Sequence, residues 1–381
     1  MPFVRSASRA EFNPAEQRRQ NVCCVALAPA QLTANGFVDH FEDLGDVQVL
    51  NWGNAPTTAR QGTRSIQEGL DRALTRPEPA KTHALRAAAI TNGRLAHDGI
   101  VLSSTGEIVR ESLFDAEHER RIIAKNATLA PASRLSGTYA SLITLWCENY
   151  FHWMMDALPR IALVERSGIK VDGYIVPDGL TRFQRESLTR LGIPAERLRP
   201  FVNEHVVVDR LVWASAPAAI GHPDETNISF LRERLGGTHS AIANGFLYLR
   251  RRGTRRARNE KEIERVLITR GFRALDPGEL SLDEQIEAFS GASLLVGCHG
   301  AAFTNAVFAR HRLAALELYN PHHVNSSMVN LFGALGHAHW SLMGAPSRGF
   351  RRRASFRDIV VDIDALVNSL DKMTMELNTG D

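Results

Sequence analysis

The chain has 381 residues, 44% hydrophobic and 23% charged, with a formal net charge of +3. That length exceeds one ordinary core, so two domains are expected, and the balance fits a folded globular protein rather than a disordered one. A net charge this close to zero lacks the broad basic face of a nucleic-acid binder, so no nucleic-acid partner is expected.

The four cysteines, Cys23, Cys24, Cys147 and Cys298, have no C-x-x-C spacing and read as buried small hydrophobes in a reducing compartment. The N-terminus lacks an apolar stretch of signal-peptide length, and no later run is long enough to cross a bilayer. These features predict a cytoplasmic protein. The basic triplet 351–353 leaves peripheral contact with an anionic inner-membrane surface open.

No short repeat is visible, which argues against solenoids and propellers. In chain order, the first 80 residues are of mixed composition. Residues 84–114 predict short strands broken at Asn92-Gly93, Asp98-Gly99 and Thr105-Gly106. Residues 141–147 predict a buried strand leading into a helix that runs to about Arg166 and stops at Gly168. A short strand follows at 173–177, a helix at 181–191 and a valine-rich strand at 205–213. Beyond a connector around 216–224 the pattern alternates regularly. Strands are expected at 246–249, 293–296 and 313–318. Helices are expected from Asn259, from Ser281 with Glu284 as a capping box, and at 301–308, 325–335 and 362–377. Such alternation implies parallel βαβ units and an α/β fold.

Three constellations carry candidate chemistry. In Asn149-Tyr-Phe-His-Trp-Met-Met-Asp-Ala-Leu-Pro-Arg160, His152 and Asp156 fall one helical turn apart in an apolar run. The pair is either a satisfied hydrogen bond in a core helix or a proton-transfer pair, because a titratable pair is costly to bury unless it is paired or used. The second is Gly297-Cys-His-Gly-Ala-Ala-Phe-Thr-Asn305, where a buried strand meets a helix. It is either a tight packing turn or a phosphate site. In the second case Gly297 and Gly300 admit the anion, Ala301 opens the helix, and His299, Thr304 and Asn305 add donors. The third is the run Arg250-Arg-Arg-Gly-Thr-Arg-Arg-Ala-Arg258, directly after the strand 246–249. Most of it reads as a solvated loop, with one or two arginines gripping a diphosphate bidentately. Glu317 closes the strand 313–318, either as a ribose acceptor or as an ion-pair partner of an arginine.

In order and rough spacing, the segments YFHWMMDALPR, LYLRRRG, LSLDEQIEAFSGASLLVGCHGAAFTN and LELYNP resemble glycosyltransferase family 61, over about residues 130–345. This group includes bacterial capsule-type enzymes and eukaryotic xylosyl-, arabinosyl- and N-acetylglucosaminyltransferases. The resemblance implies a GT-B architecture of two Rossmann-like domains facing across a cleft. The expected division is residues 1–220 on the acceptor side, 221–350 binding the nucleotide sugar, and 351–381 as a helical tail packing back. It further implies inverting, metal-independent transfer from a nucleotide-diphosphate sugar to a saccharide or glycoconjugate acceptor, in the setting of surface polysaccharide synthesis, with no cofactor. His152 and Asp156 match the family's H-x-x-x-D. Arg251 or Arg252 matches its arginine, His299, Gly300, Thr304 and Asn305 its glycine-rich segment, and Glu317 its strand-end glutamate. Ala302 stands where the family has glycine, Phe303 where it has leucine, and Arg250 where serine is common.

Inversion requires a base for the acceptor hydroxyl and charge stabilisation on the leaving diphosphate. The expected base is Asp156 with His152 as partner, and the diphosphate falls to the arginine, His299 and the 300–304 turn. Alternatives are a pyruvyltransferase-type enzyme of similar architecture and a non-catalytic sugar-nucleotide sensor. Donor sugar, nucleobase, acceptor, linkage and oligomeric state are not encoded in any motif.

Overall fold

The computed structural model describes residues 37–38, 47–54, 64–65, 84–113, 129, 131–202, 205–216, 221–223, 225–237, 245–347 and 353–379. Cys23, Cys24, Arg351, Arg352 and most of the first 80 residues lie outside that set. The chain is bilobed and α/β, with one large sheet in each lobe.

In the first lobe, β1 (Ala84–Thr91) and β2 (Arg94–Ala96) run one after the other along a single neighbouring strand, both antiparallel to it. The expected turn at Asn92-Gly93 is therefore a kink between two strands that share that neighbour, where Asn92 takes φ 50°. The other two turn signals do make hairpins. Gly99 (φ 93°) and Gly106 (φ 98°) occupy the left-handed region that favours glycine, between the strands at 94–96, 100–102 and 108–109. Next come β3 (Ser133–Ser141), β4 (Gly173–Pro177), β5 (Leu198–Phe201) and β6 (His205–Ala214), stacked in parallel in the order β6-β3-β4-β5.

The predicted strand at 141–147 does not form. β3 ends at Ser141, and the following residues turn, Cys147 donating its N–H to the Thr144 carbonyl at 3.1 Å. The run is apolar because it is buried, and burial alone does not distinguish strand from turn. The predicted long helix is also broken. A turn at Tyr150–His152 widens into a π-turn over Trp153–Ala157, and α1 (Arg160–Arg166) follows. Pro159 is the cause: it has no N–H for the Met155 carbonyl four residues earlier. That carbonyl accepts instead from the Asn227 side chain, which sits on a helix introduced below.

Helix α2 (Arg182–Arg190) lies between β4 and β5 in the chain, and α3 (Glu225–Arg234), which carries Asn227, bridges to the second lobe. There the chain gives β7 (Gly245–Leu249), α4 (Glu260–Thr269), β8 (Arg273–Leu275), α5 (Leu282–Ser290), β9 (Ala292–Cys298), a 3₁₀ helix Ala301–Phe308, β10 (Ala314–Tyr319), α6 (Ser327–Ala334) and β11 (Ala338–Met343). The Ser281/Glu284 capping box forms as the sequence predicts, and α7 (Ile363–Thr379) ends the chain. The sheet is wholly parallel, in the order β8-β7-β9-β10-β11, with residues 64–65 on the far edge. The direction of winding reverses between β7 and β9. In open parallel sheets, ligands bind beyond the strand carboxyl ends at such a reversal.

Alternate residues of these strands serve opposite faces. Tyr248, Leu294, Val296, Leu316, Leu318 and Leu342 pack with Ile263, Leu267, Leu366 and Leu370 of α4 and α7. Leu247, Leu249, Leu295 and Ala315 point the other way. They join Phe303 and Phe332 in a cluster that continues into Phe151, Met154 and Leu158 of the first lobe. The two lobes thus share one buried core along the seam.

Candidate functional site

In the first lobe, the His152 Nδ1 and Asp156 Oδ2 atoms are 2.6 Å apart, so the pair that the spacing predicts does form. Its members are unequal: the Asp156 side chain keeps 3% of its exposure and His152 17%. Asp156 is thus buried, and its cationic neighbour is Arg160, whose Nε donates to the Asp156 carbonyl at 3.0 Å. Burial pushes the Arg160 guanidinium down to about 10, opposed by the Asp156 charge.

In the second lobe the polar residues gather beyond β7, β9 and β10. Glu317, Tyr319 and His299 lie on the sheet face that borders the first lobe. Glu317 and Tyr319 are two apart on β10, and Glu317 lies opposite Gly297, two before His299. The Glu317 side chain is fully buried. One oxygen accepts from His299 Nδ1 at 2.6 Å; the other accepts from His339 Nε2 at 2.9 Å and from the Tyr319 hydroxyl. Burial alone would raise its pKa, but the two histidines hold the carboxyl well below the usual range. Glu317 therefore does not end the strand with free oxygens, as a ribose acceptor would. It is the interior anchor of His299.

The tautomer of His299 follows from its other partner. Asn325 Oδ1 accepts from the Ser327 N–H at 3.2 Å, which turns Nδ2 of the same amide toward His299 Nε2 at 3.0 Å. Nε2 is then the acceptor and Nδ1–H the donor to Glu317. His299 is itself buried and stacks on Tyr319 with ring centroids 5.0 Å apart.

The two glycines make room for protein atoms. A Cβ at Gly297 would lie 2.9 Å from the Leu249 Cβ, so this glycine sets the close approach of β7 and β9. A Cβ at Gly300 would lie 1.9 Å from Arg251 Nη1. Arg251 fills that space, with Nη1 donating to the His299 carbonyl at 2.9 Å and Nε to the Thr254 carbonyl at 2.6 Å. The arginine expected at 251 or 252 thus lies against the strand ends at 251. Arg252 is turned outward, 72% exposed, and ion-paired with Asp276 and Glu279. Ala301 is partly buried and opens the 3₁₀ helix. Thr304 is wholly buried, and its hydroxyl has no hydrogen-bond partner among the described residues. Asn305 is also wholly buried, donating to Gln285 at 2.8 Å and accepting from the Tyr150 hydroxyl at 2.6 Å. Rather than facing a ligand, Asn305 binds the two motif segments to each other.

The sequence reading passes over Arg255 and His323. Arg255, expected in solvent, takes φ 61°, and the buried Nε of its side chain has no hydrogen-bond partner among the described residues. Burial, and then the charge of Arg251, push its guanidinium down to about 10. His323 lies 5.4 Å from His299 by ring centroids. It is pushed down to about 4 by burial, then by Arg255, His299 and Arg251. The left-handed backbone at Gly253 and at Arg255 itself is the local reason for this convergence, and no spacing rule reports it. Here, at the reversal in winding, Arg251 stands close enough to Arg255 to weaken its basicity. Glu317, whose charge acts on Arg251, is already occupied by histidines. Such a site is electrostatically complementary to an anion. Among the described residues no group of three His, Cys, Asp or Glu could hold a metal ion, and no helix is long and apolar enough to cross a membrane.

Residues 150–316 match the sequence model of a family described as Glycosyltransferase 61, a match that opens on Tyr150 and takes in both motif segments. The match covers less than half of the chain and says what this segment is similar to, a family described by glycosyl transfer. No curated protein matches the chain.

Proposed function

We propose that this chain, whose central segment is similar to the glycosyltransferase 61 family, moves a sugar from a nucleotide-diphosphate donor to a saccharide or glycoconjugate acceptor. The observation that carries the reading is Arg251 at the ends of β7 and β9, bonded to the His299 carbonyl, with Arg255 close enough to feel its charge and neither arginine in an ion pair among the described residues. A diphosphate supplies the missing charge, and two guanidiniums match its oxygens bidentately. Arg251 is preorganised by two carbonyls, so little rotamer freedom is lost when the anion binds. The architecture is of GT-B type, with the donor on the second lobe and the acceptor approaching from the first.

The His152–Asp156 pair takes the acceptor proton. Of the two, His152 is the base, because it retains exposure while Asp156 is enclosed. This reverses the expectation from sequence, which favoured the aspartate. Asp156 fixes the ring through Nδ1 and stabilises the imidazolium that forms. Attack opposite the leaving diphosphate inverts the anomeric carbon. The two guanidiniums stabilise the developing charge without a metal ion.

The test is titration calorimetry of the full chain with uridine and guanosine diphosphates and their monophosphates. Binding of a diphosphate well above its monophosphate, lost in Arg251→Ala, is the expected result. If no nucleoside diphosphate binds, the assignment is wrong. Proton NMR of the transferred sugar then reads inversion directly.

A further inference from the structure

Trp146 is the one large exposed side chain in a buried stretch. Leu142, Ile143, Leu145 and Cys147 are all at or below 5% exposure, while Trp146 is at 45%. It is the third residue of the turn that Cys147 closes onto Thr144, and its φ is +62°. That position calls for glycine, and any other residue in the left-handed region is held there at a steric cost. A bulky residue held there is an outlier of the kind that clusters at ligand sites. The strained backbone directs the indole to His152, with ring centroids 5.1 Å apart and planes tilted by 46°. Asn149, whose side chain caps the His152 turn, donates its backbone N–H to the Trp146 carbonyl at 2.8 Å, which ties the tryptophan to the residue it flanks.

We propose that Trp146 is the platform for the acceptor, stacking against one face of a pyranose ring and presenting its hydroxyl to His152. The inference rests on the transferase reading above. A pyranose carries axial C–H bonds on its faces and hydroxyls at its rim. The C–H face is complementary to the negative face of an indole. A general base must come within hydrogen-bond reach of the proton it removes. A sugar lying on a ring that touches His152 meets this requirement, whereas a donor sugar tethered to the arginines has no need of it. The acceptor is therefore a pyranoside bound by its face, and Trp146 is a specificity-determining residue rather than a catalytic one.

The test uses the full chain labelled with 5-fluorotryptophan, which gives one fluorine signal for each of its five tryptophans. The signal absent from Trp146→Phe identifies position 146. The probes are methyl α- and β-pyranosides of glucose, galactose, mannose, xylose and N-acetylglucosamine, with sorbitol as an open-chain control. At least one pyranoside is expected to shift the Trp146 signal saturably, with affinity in the millimolar range, and sorbitol is not. By saturation-transfer NMR, Trp146→Gly, which suits the backbone, should weaken that binding by about tenfold or more, and Trp146→Phe should keep most of it. Nucleoside diphosphate binding should be equal in all three proteins, so loss of the donor reading and loss of this one are read separately. The proposal is overturned if no pyranoside moves the signal, if sorbitol moves it equally, or if Trp146→Gly binds the pyranosides as wild type does. Should Trp146→Gly fail to fold, Trp146→Asn, which also tolerates the left-handed region, takes its place in the same comparison.

Discussion

Arg255→Gly separates a functional arginine from a structural one, because the two roles predict opposite signs. Arg255 sits at φ 61°, with its guanidinium pushed down to about 10 by burial and by Arg251. Holding a residue other than glycine in the left-handed region costs about 1–2 kcal/mol. Glycine removes that cost but returns about 0.5–1 kcal/mol through the extra freedom of the unfolded chain. Relief of the repulsion with Arg251 adds to the stabilising side. The variant should therefore be at least as stable as wild type, by up to about 1.5 kcal/mol. Scaled by the usual unfolding entropy per residue, that is a rise in Tm of up to about 2 °C for a chain of 381 residues. The same substitution removes a charge-assisted contact to diphosphate worth about 1.5–3 kcal/mol, so the nucleoside diphosphate should bind roughly 10- to 150-fold more weakly. Differential scanning fluorimetry reads the first effect and titration calorimetry with uridine and guanosine diphosphates the second. A drop in Tm of several degrees with unchanged affinity would refute the reasoning and make Arg255 a strut of its loop.

Three further outcomes are expected. Asp156→Asn keeps the shape of the pair but removes the charge that stabilises a protonated His152, so kcat should fall by about 10²- to 10⁴-fold with diphosphate affinity unchanged; normal turnover in a folded variant would move the base elsewhere. Tyr150→Phe deletes the hydroxyl that satisfies buried Asn305 across the seam, and thermal melts should show a loss of about 1–3 kcal/mol, whereas an unchanged Tm would mean that the seam does not depend on it. His337 is moved from 6.5 down to about 4 by burial, then by Arg232. The unfolded chain takes up its proton first, so stability should be lost as pH falls from about 6.5 toward 4 and level off below. Melts of His337→Gln should show a shallower acid limb over that window, and an identical limb would assign the acid sensitivity to other groups.

Local rules made part of this protein legible in its sequence. The four-residue spacing of His152 and Asp156 fixes their contact whichever helix they occupy, because i and i+4 share a face. The alternation of buried strands with capped helices beyond residue 245 announces a parallel sheet, and Arg251, directly after β7, falls at its carboxyl end in any such fold. Other features depend on partners distant in the chain. That Arg255 turns inward while Arg252 turns out follows from two left-handed residues, Gly253 and Arg255, and from Asp276 and Glu279. Glu317 reads as a strand-end acceptor until His339, on the neighbouring strand, and His299 are seen to occupy it. Asn305 reads as a ligand donor until Tyr150, 155 residues earlier, is found to bind it. Pro159 marks a break, but only the Asn227 amide explains how the freed carbonyl is satisfied. Periodicity reports which face of an element is buried; which buried polar groups satisfy one another is decided when elements far apart in sequence meet, because an unpaired polar group in the interior costs more than the chain can locally offset.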